Sequence, residues 1–110
     1  VKTSQLSGAA LDWAVASIEL TGHDDYTNVL MVTIGDDNGW KYNPSTNWSQ
    51  GGAIIEREGI ALYLYGDGEW NAMTEKECKG KTPLEAAMRC YVASKLGDEV
   101  EVPDELLQTV

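Results

Sequence analysis

Phenylalanine is absent from this chain of 110 residues, histidine occurs once, proline three times and cysteine twice. A hydrolase or transferase needs a positioned base, nucleophile or metal, and the one histidine, His23, stands in the turn-like run Gly22-His23-Asp24-Asp25. Adjacent ligands in a loop are a weak metal signature, so His23, Asp24 and Asp25 read as a solvated turn, as do Asp36 and Asp37. No metal and no cofactor are expected. Cys78, in a Lys/Glu-rich loop, and Cys90, inside a helical pattern, lack the C-x-x-C spacing of a zinc or redox motif and read as free thiols. A disulfide or a nucleophilic Cys90 is the alternative.

Basic side chains are also scarce: eight Lys and Arg against 18 Asp and Glu give a net charge of −10. That field repels nucleic-acid phosphates and anionic membranes, which argues against both as partners. It suits a basic protein surface, although acidic solubility is the commoner reason for such a balance. No apolar run reaches the roughly 18 residues of a membrane span, and Val1-Lys2-Thr3-Ser4-Gln5-Leu6 lacks the apolar core of a secretory signal. The expected setting is cytoplasmic. The length suits one compact domain over residues 1–110.

What is present falls into helical and extended stretches. Leu11, Ala14, Val15 and Ile18 share a stripe at helical spacing behind Ser7, which predicts a helix from about Ser7 to Leu20. Val29–Ile34 reads as a strand, and Trp40-Lys41-Tyr42 can pair back on it across Gly35-Asp36-Asp37-Asn38-Gly39. Ala53–Glu58 predicts a short helix before Gly59. Ile60–Tyr65 and Glu69–Met73 flank Gly66-Asp67-Gly68 as a second hairpin. Thr82-Pro83-Leu84-Glu85 is a helix start with a cap, a proline at the first position and a capping-box glutamate. Leu84, Ala87, Met88, Tyr91, Val92 and Leu96 continue it to about Leu96, before Gly97. Pro103 can open one further turn. The expected fold is α+β: a small, mainly antiparallel sheet of two hairpins, covered by the N-terminal helix and the capped C-terminal helix.

The chemistry-bearing stretch is the predicted loop Ser45-Thr46-Asn47-Trp48-Ser49-Gln50-Gly51-Gly52. It combines hydroxyls, amides, an aromatic plane and flexible backbone just before a helix start, where unpaired N–H groups and partial positive charge suit an anion. Trp48 offers a face for stacking, as do Trp40 and Trp70 if the fold brings them near. The bland alternative is that Trp48 fills the core while Asn47 or Ser49 caps the helix. The Gly-Gly pair lacks the Lys-Ser/Thr of a P-loop and is no nucleotide motif by itself. Arg89, on the capped helix, either lies along the apolar surface or supplies the counter-charge for an anion; Arg57 and Lys95 are weaker candidates. The residues expected to bind a ligand are therefore Ser45, Thr46, Trp48, Gln50, Gly51, Gly52, Trp70 and Arg89.

Three stretches, Leu6–Ala16, Pro44–Glu58 and Thr82–Gly97, together resemble the NinX proteins of lambdoid phages over nearly the whole chain. The family pattern more often has Asp than Asn at position 47 and Pro than Ala at position 53. The resemblance implies a phage or prophage origin and the cytoplasm of an infected bacterium. It names an origin rather than a reaction. Three readings of function follow. The first is a non-enzymatic binder that sequesters a small anionic molecule, such as a nucleotide-derived signal of host defence. The second is an acidic module that binds or inhibits a host or phage protein. The third is an unrecognised enzyme, for which no residue pattern speaks. A homo-oligomer is compatible with all of them.

Overall fold

The computed structural model describes residues 1–19, 35 and 41–107, the side chains of Glu105 and Leu107 excepted. A single 3-10 turn, Thr3–Gln5, precedes helix α1, Gly8–Glu19. Helix α2 spans Trp48–Glu58, strands β1, β2 and β3 span Ala61–Leu64, Trp70–Met73 and Glu77–Gly80, helix α3 spans Pro83–Leu96 and a short α4 spans Asp104–Leu107.

Helix α1 forms where the apolar stripe predicts it: Leu11, Ala14 and Val15 are fully buried and the Leu11 amide donates to Ser7 O at 3.3 Å. The strand expected at Val29–Ile34 and the turn Asp36–Gly39 lie outside the described residues. Lys41 and Tyr42, expected to close that hairpin, are in irregular backbone. Among the described residues the sheet is a three-stranded antiparallel meander, β1-β2-β3. β1 and β2 pair around Gly66-Asp67-Gly68, with Leu62 opposite Ala72. The run around Cys78, read from sequence as a loop, is instead strand β3, placing Cys78 opposite Ala72. Its alternating Glu77, Cys78 and Lys79 carry the period-two pattern of a strand covered on one face, but the charged residues obscured it.

Helix α3 is the hub. The Thr82 hydroxyl accepts from the Glu85 amide at 3.1 Å, and the Glu85 carboxylate reaches back to the Lys81 amide at 2.9 Å. Leu84, Ala86, Ala87, Met88, Cys90, Tyr91, Val92 and Ala93 are all buried, because α3 packs against the sheet and also against α1 and α2. The helix can lie this close to β3 because Gly80 has no side chain: a Cβ there would stand 2.4 Å from the Ala86 amide nitrogen. The expected arrangement is thus altered. α3 packs on the sheet, and α1 packs mainly on α3.

The N-terminal segment is tied to the residues that follow α3. Val1 and Val100 exchange backbone hydrogen bonds, the Thr3 amide donates to Asp98 O at 2.8 Å, and the Thr3 hydroxyl donates to Gly97 O at 2.7 Å.

Candidate functional site

The stretch Ser45–Gly52 is not one loop. Trp48 to Gly52 already belong to α2, which starts five residues before Ala53 because Asn47 caps it: the Asn47 Oδ1 accepts from the Ser49 amide at 2.9 Å and from the Ser49 hydroxyl at 2.6 Å. The amides of Gln50 and Gly51 donate to Asn47 O at 3.2 and 2.8 Å, so the backbone expected to face a ligand is largely engaged. Gln50 folds back on the incoming chain, where Oε1 accepts from the Asn43 amide at 2.6 Å and Nε2 donates to Lys41 O at 3.2 Å. Gly51 is buried against Pro44 and Leu84, and Gly52 lies beside the Trp48 ring.

A smaller cleft survives, of about 200 Å³, lined by Ser45, Thr46, Trp48, Thr82, Pro83 and Leu84. Here the first residues of α2 and α3 line the same hollow, so the partial positive charges of two helix starts lie near it. The caps engage the amides of Ser49 and Glu85 and leave those of Trp48 and Leu84 outside the capping bonds. The Trp48 indole is 55% exposed, so it does not fill the core; the core tryptophans among the described residues are the half-buried Trp13 and Trp70. Trp40 lies outside the described residues.

Two of the expected ligand residues serve the scaffold. Ser45 is buried, and its amide donates to Asp12 Oδ1 at 2.8 Å, tying the approach to α2 onto α1. Burial raises the Asp12 carboxyl above its ordinary range, against the opposing pull of the Ser45 hydrogen bonds and Lys41. Arg89 is not in the cleft lining. Its Nε donates to Leu6 O at 2.7 Å and its Nη1 to Lys79 O at 2.9 Å, with Glu85 Oε1 at 3.4 Å from Nη1. The guanidinium therefore braces the segment before α1, the end of β3 and α3 itself. Of the eight expected residues, the structure brings Ser45, Thr46 and Trp48 to the cleft and not Gln50, Gly51, Gly52, Trp70 or Arg89.

A second polar cluster joins the end of α1 to α2 and α3. Arg57 donates through Nη1 and Nη2 to the two carboxylate oxygens of Glu19 at 2.9 and 2.8 Å and through Nε to Glu58 at 2.9 Å. The Tyr91 hydroxyl donates to Glu19 at 2.5 Å, while Lys95 pairs with Glu58 at 3.4 Å. The Arg57 hydrogen bonds hold the Glu19 carboxyl below its ordinary range, burial opposing them. The Tyr91 hydroxyl is raised, first by burial and then by Glu19, and burial with nearby Glu19 pushes Tyr42 up to about 12. This arrangement neutralises its own charges and fastens helix ends.

With both clusters placed, the comparison with known families is decisive. Residues 2–95 match the family described as Bacteriophage P22, NinX. The chain belongs to the NinX family. No curated protein matches it. The NinX match runs from the N-terminal segment through α1, α2 and the meander to the last turn of α3, so both helix starts at the cleft lie within it. Among the described residues of this NinX protein, no helix is long and apolar enough to cross a membrane, and no three His, Cys, Asp or Glu side chains are grouped to hold a metal ion.

Sequence reasoning missed Thr82, Pro83 and Leu84 as neighbours of Trp48, and the pairing of Glu19 with Arg57. The only local signals were the cap at Thr82, which marks a helix start, and Asp12, an acid set within the apolar stripe of α1.

Proposed function

We propose that this NinX-family protein is a phage accessory protein that binds a small anionic molecule without transforming it, in the cleft between the starts of α2 and α3. One observation carries the reading: a largely exposed tryptophan lines a cleft shared with the starts of two helices. A solvated tryptophan forgoes about 1.5–3 kcal/mol of burial, which favours a planar partner in its place. The cleft is smaller than the roughly 300–1,000 Å³ of a drug-sized site. It therefore suits the anionic end of the ligand, a phosphate or carboxylate, with a planar group such as a nucleobase lying on the outer face of Trp48. The Trp48 and Leu84 amides and the Thr82 hydroxyl are the donors. Arg89 has no part in it, since its contacts are structural.

The reading is tested by titrating nucleotides, cyclic dinucleotides and bacterial extracts into the protein while following melting temperature and tryptophan fluorescence. A genuine ligand at a hundredfold excess over its Kd raises stability by about 2.7 kcal/mol. A ligand that does so in the native protein but not in Trp48→Ala supports the cleft. Binding unaffected by that substitution places the ligand elsewhere, and the absence of any response across the set removes the proposal. The acidic balance, −10 over the chain, favours a second reading, a module that docks on a basic protein. Capture of a basic partner that is lost at high salt would support it.

A further inference from the structure

The two thiols that the sequence separates meet in the fold. Cys78 on β3 packs against the core cluster that includes Cys90 on α3, and the two thiols are close enough to perturb each other's ionisation. Both are free. Cys90 is fully buried, its Sγ 3.3 Å from Lys76 O and 3.5 Å from the Thr74 hydroxyl. Cys78 is half-buried and forms part of the wall of an open cleft of about 250 Å³, together with Lys2, Thr3, Lys76 and Ala93. A half-buried cysteine on the cleft wall thus stands beside a fully buried one. That is the arrangement of an attacking and a resolving thiol.

We propose that Cys78 and Cys90 form a dithiol modification site for low-molecular-weight disulfides, Cys78 accepting the incoming thiol group and Cys90 resolving the adduct into an intramolecular disulfide. The site is separate from the Trp48 cleft, so the two readings stand or fall independently. The Cys78 thiolate attacks one sulfur of the small disulfide, RSSR; that S–S bond breaks, and the first RS⁻ leaves and takes up a proton. The Cys90 thiolate then attacks Cys78 Sγ, breaking the mixed disulfide and expelling the second RS⁻, which is protonated in turn. Two protein thiols are oxidised, one RSSR is reduced to two RSH, and the two protons lost by the cysteines end on the two leaving thiols.

The surroundings act on the two thiols in opposite directions. The interaction with Cys78, with further help from Thr74, lowers Cys90, while the same interaction, together with burial, raises Cys78. The Lys76 carbonyl works the other way, because it accepts from the Cys90 thiol. Shift of a proton from Cys78 to Cys90 moves the charge to Cys78, where Lys76 and Arg89 favour it. Once Cys78 is in the mixed disulfide, Cys90 is the adjacent nucleophile.

The test is to expose the reduced, full-length protein to excess oxidised glutathione, quench in acid, denature, alkylate the remaining thiols and determine mass and peptide linkage. The expected product is a monomer that has lost two hydrogens, takes up no alkylating agent and yields a Cys78–Cys90 linked peptide. Reduction by dithiothreitol should restore both thiols. Cys90→Ser should stop at a glutathione adduct on Cys78, and Cys78→Ser should leave Cys90 unmodified. Native protein that keeps both thiols, accumulates a stable adduct or links only between molecules overturns the proposal, whether or not either variant folds.

Discussion

Adjacent Gly51 and Gly52 should respond in opposite senses to the same substitution. As a flexible segment facing a ligand, the pair should tolerate alanine equally well at both positions. In α2 the two face different surroundings. A Cβ on Gly51 would lie 2.3 Å from Pro44 O and 2.7 Å from Leu84 Cδ2, with backbone on one side and the neighbouring helix on the other. Overpacking of that kind costs up to about 3 kcal/mol. Alanine returns about 1 kcal/mol through helix propensity, so Gly51→Ala should lose on the order of 2 kcal/mol. A Cβ on Gly52 meets only Trp48 Cε3 at 3.5 Å, an ordinary contact. Gly52→Ala should therefore gain about 0.5–1 kcal/mol. At roughly 4 °C per kcal/mol for a domain of this size, the two variants should melt about 10 °C apart, on either side of the native protein. Differential scanning calorimetry and urea midpoints read this directly. Equal shifts for the two variants would refute the placement of these glycines within a packed helix start.

Arg89→Ala should lower stability by about 2–4 kcal/mol, because the Leu6 and Lys79 carbonyls lose their donor; Arg89→Lys should rescue little, since one ammonium does not reproduce the fork. Urea unfolding of the pair measures it, and a lysine variant as stable as the native protein would contradict the brace. Trp48→Ala should change stability by less than about 1 kcal/mol, yet weaken ligand binding at least tenfold, as calorimetric titration can establish; a large loss of stability would instead mean that the indole is a packing group. Unfolding midpoints between neutral pH and pH 3 should separate the two carboxyls. Glu19, lowered in the fold, gives stability that is present above its unfolded pKa and is lost as the pH falls through its folded one. Asp12, raised in the fold, acts in the opposite direction, its contribution being lost as the pH rises through its folded value. Glu19→Gln should therefore flatten the acid loss at a cost near neutrality of about 0.5–1 kcal/mol, while Asp12→Asn should steepen it. The reverse pattern would show that the two carboxyls had been misassigned.

The elements legible in the sequence were those whose local signals agree with their tertiary role. Thr82-Pro83 with Glu85 starts α3 because cap, proline and capping box all act within one turn, and Gly66-Asp67-Gly68 turns β1 into β2 for equally local reasons. The start of α2 was misjudged because Gly51 and Gly52 have poor helix propensity. What overrides that propensity is long-range: Pro44 and Leu84 close in on Gly51, and no linear reading places Leu84 there. β3 was missed because its charged outward residues mask the inward Cys78 and Gly80. The same limitation governed the candidate site. Trp48 was identified from its flanking polar residues, but its partners Thr82, Pro83 and Leu84 come from a distant helix start, and Arg89 is claimed by carbonyls that only the fold brings within reach.

Net charge and local geometry make opposing demands on any anionic ligand, and the opposition separates the two readings of function. At −10 the chain as a whole repels an anion, whereas the two helix starts attract it only within their own first turns. The Debye length is about 10 Å at 0.1 M salt and about 30 Å at 0.01 M. Adding salt over that range screens the distant acidic side chains before it weakens donors in direct contact with the ligand. An anion held at Trp48 should consequently bind more tightly, or at least no more weakly, as salt rises toward 0.1 M. A basic protein drawn by the acidic surface should bind more weakly over the same range, because there the long-range field is the attraction itself. The sign of the salt dependence therefore discriminates between the readings whatever the chemical identity of the ligand, and an anion whose binding collapses between 0.01 and 0.1 M salt would be held by exposed cations rather than by the starts of α2 and α3.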